Sequence, residues 1–400
     1  MIRETAIIVI VFVLLLVVTF DLYPIIKRWV LRIHIGRYQD QQSWNKSIIN
    51  KATVWINHTP KIKVTDNSRL VVIDILKGNY TKSAIQHWQE ASLLLGLAEY
   101  IKSQEDSKIK DKITIYLNSK FTSDGQWAQK PEHIDCAILA YSIFKLPFIE
   151  VEKYKPALDY TWELIKQHIG NDGTVGYRKS MMNYRYVDTI GFICPFLINY
   201  GVYFNSEESI ELAIKQIKEY EQNGMLNGFH IPSHVYKVEK KLPLGLIGWG
   251  RGLGWFAIGV VDSWLDLPIS HKYKSTLEES VKKVAIAAMN FQQENGSWNW
   301  TITRNEARAD SSTTAMLAWL LINASEINEI GERSYRSSEK AIQYLMSVTR
   351  RDGAVEFSQG DTKDIGVYSN SYEVLPFTQG FCIRNINSYN RLLNKLKLTS

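Results

Sequence analysis

One stretch of the chain brings a guanidinium and two indoles together on a backbone that is free to bend. Residues 248–255 (GWGRGLGW) place glycine at every second position, which permits positive φ and lets a ligand or another backbone come close. Arg251 offers a planar charged fork that matches a carboxylate, and Trp249 and Trp255 offer flat apolar faces. We interpret the stretch as a site for a flat anionic ligand, such as an acidic sugar. The alternative is a tight turn between helices with both tryptophans in the core.

Two aspartates stand in apolar surroundings, where an ionised carboxylate is costly. Asp135 lies in the run HIDCAIL (133–139), and Asp188 lies in YVDTIGF (186–192) just before a second apolar run. Each aspartate has an ordinary explanation as the N-cap of a helix that follows it. Because a carboxyl group beside apolar rings tends to stay protonated, the pair also predicts a general acid with a partner carboxylate.

A histidine upstream of the glycine–tryptophan stretch is a third candidate. His234 lies in PSHVY (232–236), and His230 four residues earlier competes for the same role. The sequence contains no His-Glu-x-x-His pair and no Gly-Lys-Ser/Thr phosphate loop, and no strand precedes the loose dinucleotide fingerprint at 252–257. These metal- and cofactor-binding signatures are thus absent, and no metal or cofactor is assigned to the candidate residues.

The composition is that of a globular protein. Of 400 residues, 45% are hydrophobic and 22% are charged, which excludes a disordered chain. The net charge of +6 is spread over both signs, so no nucleic acid is expected as a partner. Aromatic residues make up 12%, which suits either stacking on sugars or ordinary core packing. The three cysteines, Cys136, Cys194 and Cys382, are too far apart for a metal site or a disulfide framework.

The N-terminus predicts a membrane anchor made of a single helix. Residues 6–20 form an unbroken apolar run, and 22–26 extend it to about the 20 residues that span a bilayer. No small-residue cleavage site follows, so an uncleaved helix is favoured over a secretory signal. Basic residues lie mainly after the run, and the positive-inside rule then hints that the body faces the cytoplasm. Arg3 and the free amino group oppose this, so the side of the membrane stays open.

Beyond the anchor the apolar pattern is helical. We divide the chain into an anchor with its basic flank (1–37), a polar linker (38–65) and a catalytic domain (66–400). Apolar residues recur at steps of three and four through this domain, while 69–76 is too short to tell a strand from a helical turn. Turns of the Asn-Gly or Asp-Gly type return at about the spacing of a helical hairpin. Their glycines are Gly125, Gly173, Gly228, Gly296 and Gly353. A closed ring of six hairpins is predicted, with an open solenoid as the alternative.

These residues together resemble a known group of enzymes. WGRGLGW (249–255) is similar to the W-A-R-G-x-G-W signature of the unsaturated glucuronyl and rhamnogalacturonyl hydrolases, glycoside hydrolase families 88 and 105. YVDT followed by PFL (186–197) resembles their W-V-D-T…P-F-L element, and PSHVY (232–236) resembles their P-x-H-x-Y segment. Asp135 falls about where their first acid falls, whereas Tyr186 replaces a usual Trp. The resemblance covers approximately residues 80 to 390.

The resemblance implies an all-α protein with an (α/α)6 barrel that hydrolyses unsaturated uronyl oligosaccharides, an acidic substrate, without a metal. By carry-over, Asp188 protonates C4 of the C4=C5 double bond and helps water to add at C5, while Asp135 positions the sugar and the water. Arg251 and His234 contact the carboxylate or the ring, and Trp255 forms a stacking wall. The substrate-binding set so implied is His234, Arg251, Trp255, Tyr186 and Trp249.

Two other functions fit the same residues. The protein could hydrolyse saturated glycans on the same barrel, or it could be a non-catalytic, membrane-anchored glycan-binding protein. The sequence names neither the polysaccharide nor the aglycone, and it leaves the oligomeric state open.

Overall fold

A computed structural model describes residues 2–78 and 87–399 of the chain. The helices are α1 (Ile2–Arg32), α2 (Gln41–Trp55), α3 (Val71–Leu76), α4 (His87–Ile101), α5 (Ser107–Lys120), α6 (Ala137–Lys145), α7 (Lys155–Lys166), α8 (Asp188–Phe204), α9 (Glu207–Asn223), α10 (Gly250–Asp266), α11 (Lys274–Asn290), α12 (Ser311–Ala324), α13 (Gly331–Ser347) and α14 (Pro376–Thr399). Short 3-10 helices cover Ile134–Cys136, Val151–Tyr154 and Lys179–Met181. The strands are β1 (Tyr184–Tyr186), β2 (Met225–Leu226), β3 (Ile231–Lys237), β4 (Leu242–Ile247), β5 (Ser358–Gln359) and β6 (Tyr372–Glu373).

The helices form two concentric layers that alternate along the chain. Helices α4, α6, α8, α10, α12 and α14 each pack against the next, and α14 returns to α4, so the inner ring is closed. Helices α2, α5, α7, α9, α11 and α13 lie outside this ring. The closed ring of hairpins is therefore confirmed as an (α/α)6 barrel, and the open solenoid is wrong.

The burial of each layer follows from its sequence pattern. Every residue of α10 from Gly250 to Trp264 is buried, because this inner helix has neighbours on all sides. The outer helix α13 buries a single stripe that includes Ser334, Ser338, Ala341 and Leu345, at the spacing of one helix face. Hydrophobic residues all round a helix thus mark the inner ring, and amphipathic ones mark the outer ring.

The five predicted turn glycines all adopt a left-handed backbone, with φ between +72° and +88°. At three of them a Cβ atom would overlap a carbonyl oxygen of a neighbouring segment. These pairs are Gly125 with Lys153, Gly296 with Lys340, and Gly353 with Ser47. Glycine is needed there both for the backbone conformation and for the close approach between hairpins.

The structure differs from the sequence prediction in one short segment and decides a second one that the sequence left open. The stretch 38–65, interpreted as a linker, contains α2, whose Trp44, Ile48 and Ala52 are buried against α14 and α4. Most of its other residues are polar and face outward, so the few apolar residues of its buried face gave only a weak helical pattern in the sequence. The ambiguous stretch 69–76 contains the helix α3. The sequence pattern at 85–100 predicts a helix that corresponds to α4, and its residues 85 and 86 lie outside the described part of the chain.

The N-terminal helix α1 stands apart from the core. None of the described residues of α1 is buried, and the helix is long and apolar enough to cross a membrane. Its last two turns contact the barrel, because Arg28 pairs with Glu373 at 2.6 Å and Arg32 pairs with the buried Glu356 at 3.0 Å. The helix is therefore attached to the barrel through its C-terminal turns, while its apolar run 6–20 lies outside the core.

A small antiparallel sheet lies at the end of the barrel where the inner helices begin. Strand β3 pairs with β1, β2 and β4, with Tyr186 of β1 opposite Val235. The prediction of helices alone missed these strands, since they are short. Their register places Tyr186 and His234 beside the first residues of α8 and α10.

Candidate active site

A cavity of about 460 Å³ opens among the first turns of α8 and α10, the β1–β3 pair and the loop that joins α13 to α14. The size is within the range of small-molecule sites. Its lining residues are Val64, Trp88, Tyr177, Arg178, Met181, Tyr186, Asp188, Phe192, His234, Trp249, Arg251, Trp255, Asp361, Thr362, Lys363 and Asp364. Six of the seven residues singled out in the sequence therefore meet in one place.

Asp188 is the first residue of α8 and turns its carboxyl group into this cavity. The side chain is 17% exposed, and its Oδ2 atom is buried with no hydrogen-bond partner among the described residues. Val187 occupies the N-cap position without a side-chain cap bond, so the alternative role of Asp188 as a cap is wrong. Burial raises the pKa of Asp188 to about 7, against opposing effects of its own backbone N–H and of Arg251. The carboxyl is thus protonated in part at neutral pH.

His234 faces Asp188 from strand β3. Its Nε2 atom lies 3.6 Å from Asp188 Oδ2, and its Nδ1 atom lies 3.2 Å from the hydroxyl of Tyr368. Burial lowers the pKa of His234 to about 4, and the charge of Arg251 acts in the same direction. The imidazole is therefore neutral at neutral pH. The competing His230 is absent from the cavity lining.

Arg251 is buried in the second position of α10. Its Nη1 donates to the carbonyl of Gln359 at 2.6 Å, and its Nη2 donates to the carbonyl of Gly360 at 2.8 Å. Trp249 supports the same segment, because its Nε1 donates to Gln359 Oε1 at 3.1 Å. Two of the guanidinium nitrogens thus hold the loop that carries Asp361, while the group also borders the cavity.

Asp135 is buried close to the cavity but does not line it. Its carboxylate lies 3.7 Å from Arg178 Nη2 and 3.9 Å from His87 Nδ1. Burial by itself would raise the pKa of Asp135, but the combined attraction of His87, Arg178 and His133 lowers it below its usual value. Asp135 is therefore an ionised group that contacts the lining residue Arg178 from the side away from the cavity. It lies within a 3-10 helix whose N-cap is His133, so it is not a helix cap either.

The aromatic residues form rigid walls. Trp255 is 2% exposed, with its ring 4.5 Å from Phe192 and 5.7 Å from Trp88. A Cβ atom on Gly191 would come within 2.5 Å of the Trp255 ring, so the indole is tightly confined. Tyr186 stands edge-on to His234 at 5.6 Å between ring centres.

Several lining residues were missed in the sequence. Arg178 lies in an irregular segment before β1, and its Nη1 is buried with no hydrogen-bond partner among the described residues. Asp361 and Thr362 lie on the loop after β5, and burial raises the pKa of Asp361. The only available indication was the polar run at 359–364, which follows no periodic pattern.

Three buried polar atoms on the cavity lack partners within the described structure: Asp188 Oδ2, Arg178 Nη1 and Thr362 Oγ1. A protonated acid, a guanidinium and a hydroxyl between aromatic walls suit a sugar that carries a negative charge. Buried polar groups are normally paired, so a ligand is the natural partner of these atoms.

A ring of helical hairpins with a buried acid in an aromatic cavity at its mouth agrees with the predicted glycoside hydrolase. The chain belongs to glycosyl hydrolase family 88, since the model of that family matches residues 55–392. A comparison with curated protein sequences finds no match.

Solved structures share the fold at low sequence identity. A possible family 105 member from Klebsiella pneumoniae has a TM-score of 0.74 at 17% identity, covering 89% of this chain and 95% of its own. An unsaturated glucuronyl hydrolase specific for heparin has a TM-score of 0.64 at 14% identity, covering 88% and 98%. The unsaturated glucuronyl hydrolase of Bacillus sp. GL1, described as responsible for glycosaminoglycan degradation, has a TM-score of 0.61 at 14% identity, covering 85% and 94%. The fold of the protein is thus similar to that of unsaturated glucuronyl hydrolases.

Proposed function

We propose that the protein removes unsaturated uronyl residues from acidic oligosaccharides by adding water across the C4=C5 double bond. The observation that carries this proposal is Asp188, a buried carboxyl group with a pKa of about 7 and an unpaired oxygen in the cavity. An acid with this pKa can give up a proton near neutral pH and take it back, which general acid–base catalysis requires.

The chemistry needs a single acid that acts twice. The O–H of Asp188 adds its proton to C4, the C4=C5 electron pair forms the new C–H bond, and positive charge develops at C5 and the ring oxygen. Water then attacks C5 and returns a proton to the Asp188 carboxylate. The hemiketal opens and the aglycone leaves, so the enzyme ends in its starting protonation state.

Cationic and aromatic groups of the cavity bind the substrate in this proposal. The unpaired Nη1 of Arg178 receives the uronate carboxylate, because two nitrogens of Arg251 already serve the carbonyls of Gln359 and Gly360. Trp255 stacks on the sugar ring. His234, being neutral, offers a hydrogen bond to a ring hydroxyl or to the attacking water without adding charge.

Asp135 acts through Arg178 in this scheme. A lone guanidinium in a buried place is costly, and the Asp135 carboxylate 3.7 Å away compensates its charge. We infer that Asp135 is a positioning residue.

The experiment follows the ultraviolet absorption of the conjugated enol-uronate during incubation with lyase-generated disaccharides. Loss of the band with the native protein, and its persistence with Asp188→Asn, supports the proposal. A band that persists for glucuronyl and galacturonyl substrates alike contradicts it. Release of reducing sugar from saturated polymers would then identify a hydrolase of saturated glycans.

We further propose that α1 anchors the enzyme in a membrane. The support is its length, its apolar composition and the finding that none of its described residues is buried. Resistance of the full chain to extraction by alkaline carbonate tests the anchor, and release into the supernatant contradicts it. Protease access to the barrel in sealed vesicles decides the side.

A further inference from the structure

We propose that α3, together with the adjoining part of α1, forms a surface that docks on the headgroup region of a phospholipid bilayer, so that the mouth of the active site lies close to the membrane. The proposal rests on the membrane anchoring proposed above for α1. It adds a second membrane contact, made by the catalytic body itself.

Helix α3 exposes more apolar surface than a helix of its length normally does. Leu70 just before it is 50% exposed, Ile73 is 41% exposed and Leu76 is 82% exposed. These three residues are spaced by three and share one side of the helix. Ile75 beside them is 44% exposed. Such a patch on an otherwise well-packed protein indicates a partner that removes it from water.

The position of α3 along α1 identifies that partner. The backbone N–H groups of Leu70 and Val71 donate to the Asp21 carboxylate at 2.7 and 3.0 Å. Asp21 directly follows the apolar run that ends at Phe20. Where α1 crosses a bilayer, Asp21 lies in the last turns of the predicted span. A carboxylate is costly deep in the hydrocarbon, so Asp21 favours a position near the headgroups, and α3 is held near that level.

The flanking charges favour the same location. Arg69 precedes α3 and Lys77 follows it, while Lys27 lies six residues beyond Asp21 on α1. Cations around a short apolar face are the arrangement of a segment that lies in the interface plane and attracts anionic headgroups. The patch on α3 adjoins the exposed apolar surface of α1. A bilayer requires this continuity, whereas a protein partner does not.

A short segment joins α3 to the active site. Thr65 Oγ1 donates to Asp74 of α3 at 3.0 Å, and Asp66 pairs with Lys363 at 2.8 Å. Val64 and Lys363 both line the catalytic cavity. Val64 in the wall of the cavity is thus the sequence neighbour of Thr65, which is hydrogen-bonded to α3, and this closeness suits a substrate presented at the membrane surface.

Fluorescence quenching in nanodiscs tests the proposal. The three native cysteines are buried, so Ile73→Cys and Leu76→Cys in the full chain can be labelled singly with an environment-sensitive dye. Ile269→Cys is the matched control, because Ile269 is 90% exposed and follows the opposite end of inner helix α10. The discs contain phosphatidylcholine and phosphatidylglycerol with a lipid that is spin-labelled near its headgroup.

We expect labels at 73 and 76 to be quenched at least about two-fold more strongly than the label at 269, as for a face buried about 5–10 Å into the interface. Equal quenching at all three positions overturns the proposal, as does failure of the full chain to enter the discs. The proposal is also overturned if, in detergent, the labels become shielded from solvent as the protein concentration rises, because a second copy of the chain then covers the patch. Hydrolysis of unsaturated disaccharides by the same discs is measured separately. Failure of the docking proposal can therefore be distinguished from failure of the enzymatic proposal.

Discussion

Asp188 owes its proposed chemistry to its surroundings rather than to its residue type. An aspartate in water has a pKa near 3.9, whereas burial among Phe192, Tyr186 and Trp255 accompanies a pKa of about 7. His234 shows the converse effect, since burial and Arg251 lower its pKa to about 4. The two groups are therefore neutral together over much of the range between pH 4 and 7, and a proton donor stands beside a neutral imidazole.

The pH dependence of the rate follows from these values. We expect kcat/KM for an unsaturated disaccharide to fall about ten-fold per unit as the pH rises above about 7, because only protonated Asp188 can protonate C4. A second decline is expected below about pH 4, where His234 gains charge. Steady-state rates in a constant-ionic-strength buffer series measure this. A rate that continues to rise up to pH 9 would rule out Asp188 as the acid.

Replacing Asp188 by asparagine is expected to lower the rate but to raise the free energy of unfolding at high pH. Its pKa is higher in the folded than in the unfolded state, so the native chain loses stability as the pH rises from about 4 to about 7. Asp188→Asn removes this loss, and we expect it to exceed the native protein in free energy of unfolding by up to about 4 kcal/mol at pH 8. The difference should shrink toward pH 4. Urea titrations at both pH values measure it, and a difference independent of pH would contradict the raised pKa.

Asp135 and Asp188 should give different kinetic defects. Asp135→Asn leaves Arg178 without its counter-charge, so we expect KM to rise about ten-fold or more with a smaller change in kcat. Asp188→Asn should lower kcat by about 10²–10⁴-fold. Asp159→Asn is the control, because this acid pairs with Lys155 on the exposed outer layer. If Asp135→Asn lowers kcat as far as Asp188→Asn does, Asp135 belongs to the chemical step.

At the scale of elements, the hairpins meet through their turn glycines. Each of these turns ends an outer helix or leads into the next inner one, and several of them touch a neighbouring segment through backbone atoms. The inner helices begin at the same end of the barrel, which gathers Asp188 of α8, Arg251 of α10 and the loop before α14. The turns that connect outer to inner helices thereby help to fix the distances between the inner helices that carry the site residues.

Substitutions at two glycines with similar backbone conformations can separate the cost of a strained φ from the cost of a steric clash. Gly353 has φ +84° and a Cβ there would lie 2.3 Å from the Ser47 carbonyl oxygen, whereas Gly228 has φ +78° and open space around it. We expect Gly228→Ala to cost about 1–2 kcal/mol and Gly353→Ala to cost about 3 kcal/mol or more, because α2 must move away. Urea unfolding of both variants measures the costs. Equal costs would show that α2 is not held by this contact.

At the scale of the whole molecule, the barrel and the N-terminal helix have separable roles. None of the residues that line the catalytic cavity belongs to α1, although Arg28 and Arg32 tie the end of α1 to Glu373 and Glu356. The apolar run before Asp21 contributes nothing to the described core. Membrane attachment and catalysis are therefore expected to be independent in a soluble assay.

Removal of residues 2–20 tests this separation. We expect the shortened chain, which keeps Asp21 and both arginines, to be monodisperse without detergent and to hydrolyse a soluble disaccharide within about two-fold of the full-length rate. Size-exclusion chromatography and the ultraviolet assay measure the two properties. A shortened chain that folds, as judged by circular dichroism, but has lost activity would show that the apolar run supports the site.

The amino-acid sequence by itself determined the alternation of helices, the turn glycines and most of the site. Helix period and left-handed turns are local properties, and the motifs around Asp188, His234 and Arg251 are contiguous, so each can be recognised along the chain. Only the tertiary structure decided that Arg178 and Asp361 join them, because these residues stand in irregular segments brought together by ring closure. It also decided that the pKa of Asp188 is raised and that Asp135 pairs with Arg178, since burial and charge pairing depend on neighbours that are distant in sequence.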